Sequence, residues 1–249
     1  MKFGLYLFTA CEKWLPWAVL VPVLLAGEVC GVDEVADGDV LRVAYVEHQQ
    51  ETMMRFFGNQ WMYYGGYNMR QFLGKLGKQT NIKLETEHES VSFRDEDLDR
   101  LFDYAVLFMT SNYAPKLSEE EVRNMREYLL RGGFLLADDC ILEGSYSGNQ
   151  LPAFTRGMQE AMKKVFPDRS FEVIAHDHPV YHCFYQFEGG FPRCHPDGHW
   201  EGLGLFDGDR LMVLLSPNDL CCGWQFNWGV QTQNAYEMGI NIFIYALTH

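Results

Sequence analysis

Apolar residues recur along the chain in two alternating rhythms. Short, nearly continuous apolar runs stand at residues 40–46, 104–109, 134–137 and 211–215, with a weaker one at 171–174. Runs of this length suit strands buried on both faces of a parallel sheet. Ile82, Leu84 and Thr86 alternate with charged residues, which predicts a half-exposed strand near a sheet edge. Between the runs lie stretches of helical period. Met69, Phe72, Leu73 and Leu76 line one face of a helix over residues 67–77; Val122, Met125 and Leu129 a second; Phe154, Met158, Ala161, Met162 and Val165 a third; Ala235, Met238, Ile242 and Tyr245 a terminal one. Ser118 and Glu121 have the spacing of a capping box, and Gly132-Gly133 ends that helix. The alternation predicts an α/β fold, a parallel sheet sandwiched between two helical layers.

The first thirty residues break the rhythm. Lys2 and Lys13 precede an apolar stretch, residues 14–26, which is followed by small residues around Cys30 and Gly31. That order is the order of a secretory signal, and the run falls short of the ~20 apolar residues a span requires. The expected organisation is a signal peptide over residues 1–31, with an uncleaved anchor as the alternative, and one α/β domain over 32–249. An exported protein, periplasmic or secreted, follows from it.

Composition then narrows the partners. Of 249 residues 34 are acidic and 20 basic, a formal net charge of −14. Phosphate backbones and anionic lipid surfaces would be repelled, so neither nucleic acid nor a membrane surface is expected as a partner. Residues 1–31 carry two lysines and two glutamates, so their removal leaves the charge unchanged. Five cysteines remain, Cys140, Cys183, Cys194, Cys221 and Cys222. Cys183 and Cys194 are near enough in sequence to form a local bridge, and no C-x-x-C pair supports a zinc ribbon or thioredoxin motif.

In open parallel sheets ligands sit beyond the carboxyl ends of the strands. That rule selects Glu47-His48, the segment Thr110 to Tyr113, Asp138-Asp139-Cys140, and the segment from Ser216 to Trp224 with Asp219 in it. A strand-end carboxylate can serve as base or metal ligand, or can cap a following turn. Adjacent carboxylates on an extended chain point apart, so one of Asp138 and Asp139 faces any given crevice. Cys140 with a histidine is a candidate nucleophile, yet it lacks the flanking glycines of an elbow and suits a buried structural role. A second concentration holds five of the eight histidines, His176, His178, His182, His195 and His199, beside Asp177. Imidazoles with a carboxylate can bind a divalent metal; equally, Asp177-His178-Pro179 can cap a short helix. No dinucleotide fingerprint supports a nicotinamide or flavin site.

Several stretches together resemble a bacterial family, the domain of unknown function 4159 family. They are LSEEEVRNMREYLLRGGFLLADDC, MKKVFP, DHPVYHCFYQF, GDRLMVLLSPNDLCCGW and MGINIFIYAL. The resemblance implies a class I glutamine amidotransferase-like, flavodoxin-like fold. It marks Asp138, Asp139, Asp177, His178, Tyr185, Asp219 and Trp224 as recurrent polar positions and thus as candidate binding residues. Where relatives often have a glycine-histidine pair after the strand at 104–109, this chain has Ser111-Asn112. The cysteine elbow is absent too, so glutamine hydrolysis is not inherited.

The expected function is that of an exported binding or accessory domain. Its ligand at the carboxyl edge of the sheet is a small polar molecule, glycan-related among others, or an envelope protein partner. One alternative is a metal-dependent hydrolase with Asp139, His178 and Cys140 as catalytic candidates and His176, His178, His182 and Asp139 as candidate metal ligands. The other is a structural component of an envelope complex.

Overall fold

The computed structural model describes residues 40–48, 54–57, 60–94, 98–141 and 150–249, all within one compact unit, Asp39–His249. The expected signal segment lies outside the described residues. No helix among those described is long and apolar enough to cross a membrane.

Chain order runs β1 (Val43–Val46), β2 (Met54–Phe57), β3 (Gln60–Tyr63), α1 (Tyr64–Thr80), β4 (Glu89–Val91), a 3-10 turn (Leu98–Asp103), β5 (Val106–Ser111), α2 (Glu119–Leu130), β6 (Leu135–Asp139) and α3 (Ala153–Val165). Then come β7 (Glu172–Val173), a second 3-10 turn (Pro179–Tyr181), β8 (Leu203–Asp207), β9 (Arg210–Ser216), α4 (Leu220–Gln225) and α5 (Val230–Thr248). The main sheet has seven strands in the order β4-β1-β5-β6-β9-β8-β7, while β2 and β3 form a separate antiparallel pair. From β4 to β9 all neighbours are parallel. Renumbered by first appearance those five strands read 2-1-3-4-5, the flavodoxin-like doubly wound order. The sheet departs from all-parallel at its far edge, where β8 and then β7 pair antiparallel. Gly208, at φ +59°, turns the β8–β9 hairpin without the Cβ penalty of that conformation.

Strand alternation divides the apolar side chains into two layers. Val43, Tyr45, Phe108 and Leu214 meet α1 and α5 on one face; Ala44, Val46, Leu107, Met109 and Met212 meet α2 and α3 on the other. The capping box forms: the Glu121 N–H donates to Ser118 Oγ at 3.2 Å and the Ser118 N–H to Glu121 Oε2 at 2.7 Å. Gly157 lets α3 settle against the segment after β5, because a Cβ there would stand 2.3 Å from the Ala114 Cβ.

Three expectations need correcting. The edge strand is Glu89–Val91, and the stretch around Ile82 and Leu84 contributes a single bridge, Leu41 to Leu84. Its alternation reflects one apolar side chain lying over the sheet end. The segment after β9 is a helix from Leu220 and no open loop; Asp219 starts it in the left-handed region, φ 58°, so no run of period marked it. Cys183 and Cys194 are not bridged: the Cys183 thiol donates to the Asn241 carbonyl and the Cys194 thiol to that of Pro192.

Candidate functional site

The doubly wound order creates one place where the chain leaves neighbouring strands in opposite directions. From β1 it turns through α1 back to β4; from β5 it turns through α2 to β6. The two helices lie on opposite faces, so a crevice opens between the carboxyl ends of β1 and β5. His48, two residues past β1, spans it, with Nε2 3.4 Å from the Thr110 carbonyl and its ring 6.4 Å from that of Phe154. The Tyr45 hydroxyl donates to the same carbonyl at 3.0 Å. Asp139 stands opposite Ser111 in the β5–β6 register, one residue from Asn112.

What marks this edge is unmet hydrogen-bonding capacity. His48 Nδ1, Asn112 Oδ1, Asp139 Oδ1 and both amide atoms of Asn68, in the second turn of α1, are buried and have no hydrogen-bond partner. Buried polar atoms are nearly always paired, since an unpaired one costs about 1–3 kcal/mol. Burial lowers the His48 pKa, which keeps its imidazole neutral at neutral pH. Burial raises the Asp139 carboxyl to about 7, against two hydrogen bonds from Thr155. Despite the acidic composition, burial disfavours the charged forms of both His48 and Asp139.

Asp138 and Asp139 face opposite sides of β6, as their adjacency requires. Asp139 Oδ2 accepts from the Thr155 N–H at 2.5 Å and its hydroxyl at 2.9 Å, tying the first turn of α3 to the strand end. Asp138 accepts from the Leu220 and Cys221 N–H groups at 3.0 and 2.9 Å. Asp219 accepts from the Ile141 N–H at 2.8 Å and the Cys222 N–H at 3.0 Å. The pair thus lashes β6 to the β9–α4 corner reciprocally. Burial pushes both carboxyls well up, with the Cys221 sulfur adding to the effect. Around them Cys140, Cys221, Cys222 and Asp219 gather, the one group of metal-capable donors among the described residues whose ligand atoms all lie within 4.8 Å.

His176, His178 and His182 join neither assembly. His178 is the cap of the second 3-10 turn: its Nδ1 accepts from the Val180 N–H at 3.2 Å, with Pro179 at the first position. His176 Nε2 stands 3.4 Å from Glu201 in an exposed pair, and His182 Nε2 donates to the His176 carbonyl at 2.7 Å. Asp177 is exposed. His176, His178, His182 and Asp139 therefore do not form a ligand set. Tyr185 is held from its backbone by Asn241, donating its N–H at 2.7 Å. Trp224 is core: it stacks on Phe72 at 4.3 Å and its indole N–H donates to the Ala235 carbonyl.

His48 and Asn112 stand in loops that the strand-end rule selects, though neither is among the candidate residues. The available signal was topological: both follow the two strands that flank the switch point. Asn68 gave none, being one polar residue before an apolar helix face.

The family model described as a domain of unknown function, DUF4159, matches residues 42–247. No curated protein matches the chain.

Proposed function

Because the chain belongs to the DUF4159 family, a domain of unknown function, we propose a function from its geometry: an exported binding domain for a small uncharged polar molecule. The ligand enters the crevice between β1 and β5, where the buried atoms of His48, Asn68, Asn112 and Asp139 lack partners. That observation carries the reading. A ligand rich in hydroxyl or amide groups, of the kind a glycan fragment presents, both donates and accepts, and so meets a neutral imidazole, two amides and a carboxyl that titrates near neutrality. An anion would be repelled by the Asp139 carboxyl wherever that group is ionised. Export rests on the residue order of the N-terminal segment.

The test is a thermal-shift and calorimetric screen of the full chain against mono- and disaccharides, short neutral amides, inorganic phosphate and divalent cations. Neutral sugars or amides are expected to raise the midpoint, with the rise abolished in His48→Ala and in Asp139→Asn. A screen in which phosphate alone binds, or in which both variants keep the wild-type shift, overturns the reading.

A further inference from the structure

On the other side of β6 from the crevice, three cysteines and an aspartate meet in the interior. Cys140 directly follows β6; Asp219, Cys221 and Cys222 come from the β9–α4 corner, 79 to 82 residues further along. Their donor atoms lie within 4.8 Å of one another, and all four residues are buried. Cys140 Sγ and Cys222 Sγ are 3.7 Å apart, and Cys221 Sγ is 3.3 Å from Asp219 Oδ1. Around a tetrahedral ion with sulfur at ~2.3 Å and oxygen at ~2.0 Å, the edges between donors measure roughly 3.5–3.8 Å. Two edges of such a tetrahedron are therefore already in place, and the chain segments that supply them are fixed independently. The Asp138 and Asp219 carboxyls hold the corner through the backbone N–H groups of Ile141, Leu220, Cys221 and Cys222. Asp219 itself is kept in the left-handed region, a conformation a non-glycine residue retains where its surroundings fix it.

Without an ion this is a costly arrangement. Four acidic groups, three thiols and a carboxyl, share one buried site. We propose that Cys140, Asp219, Cys221 and Cys222 bind one thiophilic divalent cation, zinc in the first instance. Three thiolates favour such an ion over calcium or magnesium, which take oxygen ligands. Loading exchanges protons for metal: the three thiols and the carboxylic acid release up to four protons as Zn²⁺ enters, leaving four anionic donors on a dication. All four coordination positions come from the protein, so the site is closed, structural and not hydrolytic. It cross-links the end of β6 to the β9–α4 corner. This proposal is independent of the crevice ligand: the crevice carboxyl, Asp139, faces the other side of the strand, and metal content and coordination are read separately from ligand binding.

The full chain, purified under reductant without chelator and reconstituted with zinc, is expected to hold about one zinc per chain, with three sulfurs at ~2.3 Å and one oxygen at ~2.0 Å by X-ray absorption at the zinc edge. Cobalt reconstitution should give a thiolate-to-cobalt charge-transfer band. Cys140→Ser and Cys222→Ser should lose that band, and Cys183→Ser, outside the cluster, should keep it. Should the serine variants fail to fold, the absorption spectrum of the unaltered chain decides by itself. A zinc shell of nitrogen and oxygen alone, substoichiometric zinc after reconstitution, or a Cys140–Cys222 disulfide in place of metal (a mass lower by two hydrogens) each overturns the proposal.

Discussion

Asp139 shows how far a single residue's role depends on its surroundings. The sequence placed it at a strand end and left base, ligand and cap open; the structure uses one oxygen as a cap on Thr155 and leaves the other without a partner. Its carboxyl is raised from 3.8 to about 7, chiefly by burial. The folded state thus holds this proton more tightly than the unfolded chain does. The resulting stability is full below pH ~4 and is lost as pH rises to ~7, by about 4 kcal/mol at ~1.4 kcal/mol per unit. Asp138 is raised for the same reason and adds to the slope. Asp139→Asn should flatten the decline in unfolding free energy between pH 4 and 7, measured by urea titration, without removing it. An unchanged slope would show that Asp139 ionises normally. Asp138 was equally visible as a residue, but its partners are N–H groups more than eighty positions away, which no local pattern reveals.

At the scale of elements, legibility followed the strength of the local signal. α2 was readable at both ends because cap, stripe and terminating glycines agree, and the structure has the box, the buried Met125 and Leu129, and Gly132 at φ +108°. Ser118→Ala removes the oxygen that accepts the Glu121 N–H, while the return bond from the backbone N–H of residue 118 to the Glu121 carboxylate stays available. The expected loss is ~1 kcal/mol, which for a domain of this size lowers the thermal midpoint by roughly 2–4 °C in a calorimetric scan. Ser118→Asp should recover most of it, since Asp caps as well; no difference between wild type and alanine would mean the box is dispensable. α4 was not readable: six residues give too little period, and its start at Asp219 is fixed by Ile141 and Cys222. β7 was legible as the weak run at 171–174, whereas β8 gave no run that was read as a strand. They pair antiparallel at the far edge, a direction that short apolar runs do not encode.

For the whole molecule, the alternation of runs and stripes was enough for the α/β class, while strand order and the switch point depend on crossovers that sequence does not state. The two apolar layers draw their described residues from Val43 to Tyr245, and the family match begins at residue 42. One compact unit, Asp39–His249, holds every described element. A chain of residues 39–249 should then unfold in a single cooperative transition. Its midpoint should lie within ~3 °C of the full chain's, since losing less than ~1 kcal/mol moves a domain of this size by about that much. A larger drop, or a transition that splits in two, would mean that residues 1–38 supply packing to the domain. The same truncated chain separates export from folding: with its zinc content and sugar response intact, the N-terminal segment would be left with targeting or anchoring as its role.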